Sequence, residues 1–171
     1  MSLTAPETVE DLLNYRLARL LSATSTPGIR LLEGRFGVTR RQWGLMGLLA
    51  AHGPMSPSEL SRLSHLEPSK VSLPITELVS RGLVHRETLV GDRRRAVVRL
   101  TESGQHLYRS AFPLLADLSR AMLGALSPDE VDALDGIMRK LGESAEQWSS
   151  QQPVAEKADR RRGGSRRTRF E

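Results

Sequence analysis

The sequence predicts a mainly α-helical fold with one small β-hairpin. Three observations carry this expectation. Apolar residues recur at helical spacing through most of the chain; two short β-prone runs flank Gly91-Asp92; and the helix-start signature Ser-Pro-x-Glu occurs twice, at Ser56–Glu59 and Ser127–Glu130. The 171 residues suffice for one domain with helical extensions, not for two enzyme domains. Only 4% of residues are aromatic, so the core must be built from Leu, Val, Ile and Ala.

The elements follow in order. Val9, Leu12, Leu13, Leu17, Leu20 and Leu21 keep helical spacing, and Ile29, Leu31 and Leu32 form a second cluster after Pro27-Gly28. A long first helix results, either continuous or interrupted at Pro27. Thr39 caps a second helix carrying Trp43, Leu45, Met46, Leu48 and Leu49, which stops at Gly53-Pro54. Ser56 as N-cap, Pro57 at the first helical position and Glu59 closing a capping box open a short third helix ending near Ser64. Met55 and Leu60 can form its hydrophobic staple. A fourth helix runs from Pro68 to Arg81, with Val71, Ile75, Leu78 and Val79 as its core stripe. Leu83 to Leu89 and Ala96 to Leu100 form the hairpin. Helix, helix, hairpin in this order make a compact winged helix-turn-helix. A long helix from Thr101 to about Leu126 should kink at Pro113, and a last helix carries the stripe Val131, Leu134, Ile137, Met138 and Leu141. After Gln147 apolar content falls away. Residues 149–171 read as a disordered basic tail, whose arginines could add nonspecific phosphate attraction or be merely solvated.

Charge is segregated along this framework. Residues 35–109 hold twelve basic and six acidic side chains, and residues 151–171 seven and three; residues 110–150 hold three basic and seven acidic. A polyanion is the expected partner of the centre and tail. Other function classes lose their chemistry. With no cysteine there is no disulfide, thiol nucleophile or Cys-ligated zinc. His52, His65, His85 and His106 lie 13, 20 and 21 residues apart, without paired ligand spacing, and no Gly-rich phosphate loop is present, so neither an enzyme, a metal nor a cofactor is expected. No apolar run approaches the roughly 20 residues that span a bilayer, and the start of the chain does not read as a signal peptide, so the expected location is cytoplasmic.

Double-stranded DNA fits the charge and the motifs. The face of the fourth helix opposite its core stripe carries Ser69, Lys70, Leu73 and Thr76, with Ser72 beside them; short polar side chains let a helix sit deep in a major groove, and an exposed Leu can touch a thymine methyl. At the hairpin tip stands Asp92-Arg93-Arg94-Arg95. Three adjacent arginines repel one another, whereas a guanidinium tip suits a narrow, electronegative minor groove, with Asp92 orienting one arginine. Ser56, Ser58 and Arg86 are candidates for the phosphate backbone. The rival reading is an adaptor whose winged helix binds protein through the exposed Leu73.

Ser56–Leu60, Leu78–Arg86, Asp92–Gly104 with its Leu-Thr-Glu-x-Gly ending, and Leu126–Leu141 together resemble the MarR family of transcriptional regulators, over roughly residues 9 to 148. The resemblance implies a homodimer joined by the terminal helices, with 1–34 and 105–148 as dimerisation region and 35–104 as DNA-binding region. It also implies a pseudo-palindromic operator and release by a small aromatic or phenolic anionic effector. The chain departs from the family pattern at Leu73, where a long polar or basic side chain is usual, and at Pro74. A proline inside a helix costs about 3 kcal/mol or more unless the helix bends or begins nearby; here it would bend, or effectively begin near Ser72.

Overall fold

The computed structural model describes residues 2–88 and 96–151. Capping chemistry decides where most of the helices begin. Asp11 accepts hydrogen bonds at one carboxylate oxygen from the Thr8 N–H (3.1 Å) and the Thr8 hydroxyl (3.0 Å), which holds Val9–Asp11 in a 3-10 turn. Helix α1 (Leu13–Leu31) therefore begins later than the apolar pattern suggests, and it runs unbroken through Pro27. A π-helical turn, Leu32–Phe36, ends at Gly37 with φ 65°. Thr39 and Gln42 then close a reciprocal capping box that starts α2 (Arg40–His52). The Ser56–Glu59 box starts α3 (Pro57–Leu63) as expected, and α4 (Pro68–Ser80) begins with proline at its first position. Between α3 and α4, His65 takes φ 51°, in the left-handed region that histidine tolerates better than most residues.

Strands β1 (Val84–Thr88) and β2 (Ala96–Leu100) pair antiparallel, with Val84 opposite Leu100 and Arg86 opposite Val98. The expected turn at Gly91-Asp92 and the tip Asp92–Arg95 lie outside the described residues. The free edge of β2 is also occupied, because Met55 exchanges both backbone hydrogen bonds with Val98 (3.1 and 2.9 Å). Met55 thus does more than staple α3. Helix α5 (Glu102–Leu123) is capped by Thr101 and passes unbroken through Pro113; it stops at Gly124, before the predicted Leu126. Helix α6 (Pro128–Ser150) starts on the second Ser-Pro-x-Glu box. Residues 152–171, most of the predicted tail, lie outside the described residues. No helix among the described residues is long and apolar enough to cross a membrane.

Two compact units divide the chain, Met1–Gly124 and Ala125–Glu171. The first contains the core: Leu45, Met46 and Leu49 of α2, Leu60 of α3, Val71, Ile75 and Leu78 of α4, Val84, Val98 and Leu100 of the hairpin, and Ala111 of α5. Helix α4 departs from its expected stripe at one position. Val79 is 36% exposed, and Pro74 is buried instead. At about 100° per residue, Val71, Pro74, Ile75 and Leu78 share one arc and Val79 falls past its edge.

The end of α4 is joined to the hairpin and α5 at one point. Gly82, at φ 68°, donates to Val79 O while Leu83 N–H reaches back to Leu78 O, a Schellman closure. The Leu83 carbonyl then receives Thr101 N–H (3.1 Å), and Thr101 Oγ1 donates to Gly82 O (2.7 Å). A Cβ on Gly104 would overlap that Leu83 carbonyl oxygen, so α5 comes this close only with glycine there. Gly104→Ala is expected to lower the unfolding free energy by about 1–3 kcal/mol or more. Gly44→Ala, where an added Cβ meets nothing within 4 Å, should be neutral or stabilising by up to about 1 kcal/mol. Denaturant titrations of both check the pair, and a Gly104→Ala protein as stable as its parent refutes the close approach.

The capping carboxylates also set a pH dependence. Hydrogen bonds from the Ser56 N–H and hydroxyl hold the Glu59 carboxyl below its ordinary pKa; Ser127 does the same to Glu130, and the Thr8 hydroxyl, followed by backbone N–H groups, to Asp11. A folded pKa below the unfolded one adds stability that is complete above the ordinary carboxylate range and lost as pH falls through the lowered value. Glu59→Gln is expected to flatten the acid limb of the stability curve below about pH 5, read by urea unfolding at stepped pH.

Candidate nucleic-acid interface

Helix α4 sorts its residues by face. With Val71, Pro74, Ile75 and Leu78 turned inward, Ser69, Lys70, Ser72, Leu73 and Thr76 are all exposed, Leu73 by 63% of its surface. Pro74 sits on the buried side of an unbroken helix that begins at Pro68, so the alternative start near Ser72 is not realised. Its missing N–H leaves the Lys70 carbonyl without its usual i+4 donor. Ser69 and Ser72 make no side-chain hydrogen bond among the described residues, whereas Thr76 Oγ1 donates to Ser72 O (3.0 Å) and keeps only its acceptor capacity.

The remaining candidates differ in availability. Ser58 is exposed in the first turn of α3, and Arg86 is exposed on β1. Ser56 is committed: its Oγ accepts from Glu59 N–H (3.2 Å) and donates to the Glu59 carboxylate (2.8 Å). Asp92, Arg93, Arg94 and Arg95 lie outside the described residues.

The outward face of α4 forms one wall of an open cleft of about 760 Å³, and α2 forms the other. Ser69, Lys70, Leu73 and Glu77 line it from α4, Arg40 and Arg41 from α2, and Glu33 from the π-helical turn. Arg40 and Arg41 occupy the first two positions of α2, which has no acidic residue in its first turn. Cations there oppose the helix dipole by about 0.3–1 kcal/mol each, an arrangement without structural benefit that adds positive charge beside the exposed face. Sequence reasoning counted these arginines but did not nominate them; their place in the first turn after the Thr39 cap was the available signal. Two hydrogen bonds tie this region to α4: Gln42 Nε2 donates to Glu77 Oε2 (2.7 Å), and Arg81 Nη1 donates to Gly37 O (2.7 Å).

A second cavity, about 240 Å³, lies among α1, α2 and α5. Leu21, Ile29, Leu32, Leu115, Leu118 and Met122 make it largely apolar, with Thr24, Ser25, Arg40 and Trp43 as polar lining. Gly28 permits the approach of α1 to α5, since a Cβ there would stand 3.2 Å from Leu115. Trp43 stacks on Tyr108 at 5.4 Å, and its buried Nε1–H has no hydrogen-bond partner. Such an orphaned donor is unusual in a packed interior. Among the described residues no cluster of His, Asp or Glu is placed to hold a metal ion.

Comparison with known proteins gives a consistent result. Residues 36–95 match the model of the MarR family. Over 109 residues the chain is 31% identical to the HTH-type transcriptional repressor NicR of Pseudomonas putida, covering 64% of this chain and 69% of that protein. Its fold matches a MepR–DNA complex from S. aureus (TM-score 0.70, 21% identity, 78% of this chain and 98% of that one). It also matches BpsR of Bordetella bronchiseptica, whose DNA binding is regulated by 6-hydroxynicotinic acid (TM-score 0.65, 22% identity, 74% and 98%).

The exposure of Leu73 sets an expectation that separates surface from packing. Leu73→Ala and Leu73→Arg should each change the unfolding free energy by no more than about 0.5 kcal/mol. A loss well above that in denaturant titration would assign Leu73 to the core instead of a contact face.

Proposed function

Because the chain belongs to the MarR family of transcriptional regulators, we propose that it is a sequence-specific, ligand-responsive DNA-binding repressor acting as a homodimer on a pseudo-palindromic operator. One observation carries this reading. Helix α4 exposes short polar side chains and Lys70 on a face flanked by Arg40 and Arg41, the composition that enters a major groove and meets phosphates. Ser69, Lys70, Ser72, Leu73 and Thr76 would read the groove, with the Asp92–Arg95 tip in the adjacent minor groove and Ser58 and Arg86 on the backbone. Ser56 would act there through its backbone or by holding the start of α3.

Two further features support the finer parts. On α1, Leu17, Leu20 and Leu21 are 46–60% exposed, and on α6 Ile137 and Met138 are 54–61% exposed; apolar stripes of this kind suit a second copy of the chain. The α1–α2–α5 cavity combines a largely apolar lining with Arg40 and the aromatic Trp43, which suits a single-ring aromatic or phenolic anion. The alternative, a protein-binding adaptor, draws on the exposed apolar Leu73.

In a gel-shift titration against the DNA upstream of its own gene, Arg94→Ala is expected to weaken specific binding by roughly 1–3 kcal/mol. Unchanged affinity removes the wing from the interface. Equal affinity for the upstream DNA and a scrambled duplex favours the adaptor.

A further inference from the structure

Arg40 and Ile29 line both cavities: the apolar pocket among α1, α2 and α5, and the open cleft against the outer face of α4. Arg40 makes no ion pair or hydrogen bond among the described residues, so its guanidinium is uncommitted. Two residues on, Gln42 is 5% exposed, and both its amide oxygen and its amide nitrogen are hydrogen-bonded. Its Oε1 accepts from Thr39 N–H (2.9 Å), locking it to the start of α2, and its Nε2 donates across to Glu77 of α4 (2.7 Å). Trp43, next in sequence, presents its ring to the pocket. A single turn of α2 therefore carries the pocket's cation, the pocket's aromatic wall and the side-chain link to α4.

We propose that this first turn of α2 is the coupling element between pocket and DNA: an anionic occupant draws Arg40 out of the cleft, and the Gln42–Glu77 hydrogen bond passes the resulting shift of α2 to the reading helix. The proposal rests on the reading above, that the pocket takes an aromatic anion and α4 reads DNA. A guanidinium paired with a carboxylate inside the pocket is no longer available beside Lys70 and the phosphates, which by itself lowers DNA affinity. The hydrogen bond adds a geometric consequence. Gln42 is held rigidly on α2, so displacement of that turn either moves Glu77 or breaks the bond. The turn follows the π-helical segment and the left-handed Gly37, irregular backbone of the kind frequent at functional sites. Arg81, bonded to Gly37 O, ties the far end of α4 to the same joint, so α4 is gripped at two places by the segment that precedes and opens α2. Only differential affinity for the two arrangements can shift the equilibrium, and Arg40 supplies it.

The test uses the full chain carrying Trp148→Phe, which leaves Trp43 as the one tryptophan. Benzoate and 6-hydroxynicotinic acid serve as probes. Their affinity is read from Trp43 fluorescence without DNA, and operator affinity from fluorescence anisotropy with and without saturating probe. The ratio of the two operator affinities is the coupling, expected at about 5–150-fold in the parent. Glu77→Ala should bring that ratio to within about twofold of one, against the usual range of such couplings, with probe affinity preserved; because it leaves the Gln42 amide without its acceptor it also lowers the melting temperature, and the affinities are read well below that temperature. Glu77→Gln, which keeps an oxygen to accept from Gln42 Nε2, should restore it. A ratio contrast cancels any uniform change in DNA affinity caused by losing the Glu77 charge. Arg40→Gln should weaken both probes and lower the ratio. If Glu77→Ala keeps the parent's ratio, the relay is wrong although the pocket stands. If neither probe changes Trp43 fluorescence or operator affinity in the parent, the reading of the pocket fails and the relay falls with it.

Discussion

Leu83 is the joint on which the winged helix-turn-helix depends. Its N–H ends the Schellman closure of α4, while its carbonyl accepts the N–H of Thr101 and lies so close to Gly104 that no side chain fits between. Three elements therefore meet at one residue: the end of α4, the base of the hairpin at Val84 and Leu100, and the first turn of α5. The hairpin projects from this joint, so its direction relative to α4 is fixed by backbone hydrogen bonds and a steric stop, which are far less deformable than surface side-chain contacts. Met55, paired with Val98 on the other edge of β2, braces the hairpin from the side of α3.

Against this rigid frame, the surface of α4 follows from competition for its faces. The core takes Val71, Ile75 and Leu78, and it also takes Pro74, whose ring is apolar. Burying Pro74 turns Leu73 outward by the helical repeat, since adjacent residues lie about 100° apart. The exposed leucine is thus a geometric companion of the buried proline. Around it the charges are arranged against local helix preference, with Arg40 and Arg41 at the positive end of the α2 dipole.

The apolar stripes of α1 and α6 obey a different constraint. Leu12, Leu13, Leu17, Leu20 and Leu21 on and beside α1, and Leu134, Ile137, Met138 and Leu141 on α6, keep strict helical spacing yet remain 37–61% exposed. By contrast the core residues of α2, α3 and α4 are almost wholly enclosed. Periodicity of equal quality therefore produced buried faces in one part of the chain and open faces in another. Spacing marks a face as apolar; what covers it is a property of the assembled molecule.

Local chemistry made much of the fold legible. Ser56-Pro57-Ser58-Glu59, Ser127-Pro128-Asp129-Glu130 and the Thr39 and Thr101 caps mark helix starts because each side-chain oxygen satisfies an N–H within three residues, and Gly82 marks a stop because left-handed backbone favours glycine. The candidate reading face was legible for the same reason, since a helix repeat assigns Ser69, Leu73 and Thr76 to one side whatever packs on the other. What only the tertiary structure decided involves residues distant in sequence. The Gln42–Glu77 bond spans 35 positions, the Arg81–Gly37 bond 44, and the pairing of Met55 with Val98 43. So too the cavity holding Trp43, the exposure of Val79 and the commitment of Ser56 to its own cap were settled by packing. Capping and periodicity act within a helical turn or two, where the chain's own geometry sets distances; contacts across the core depend on how all the elements fit together, and no local pattern carries that information.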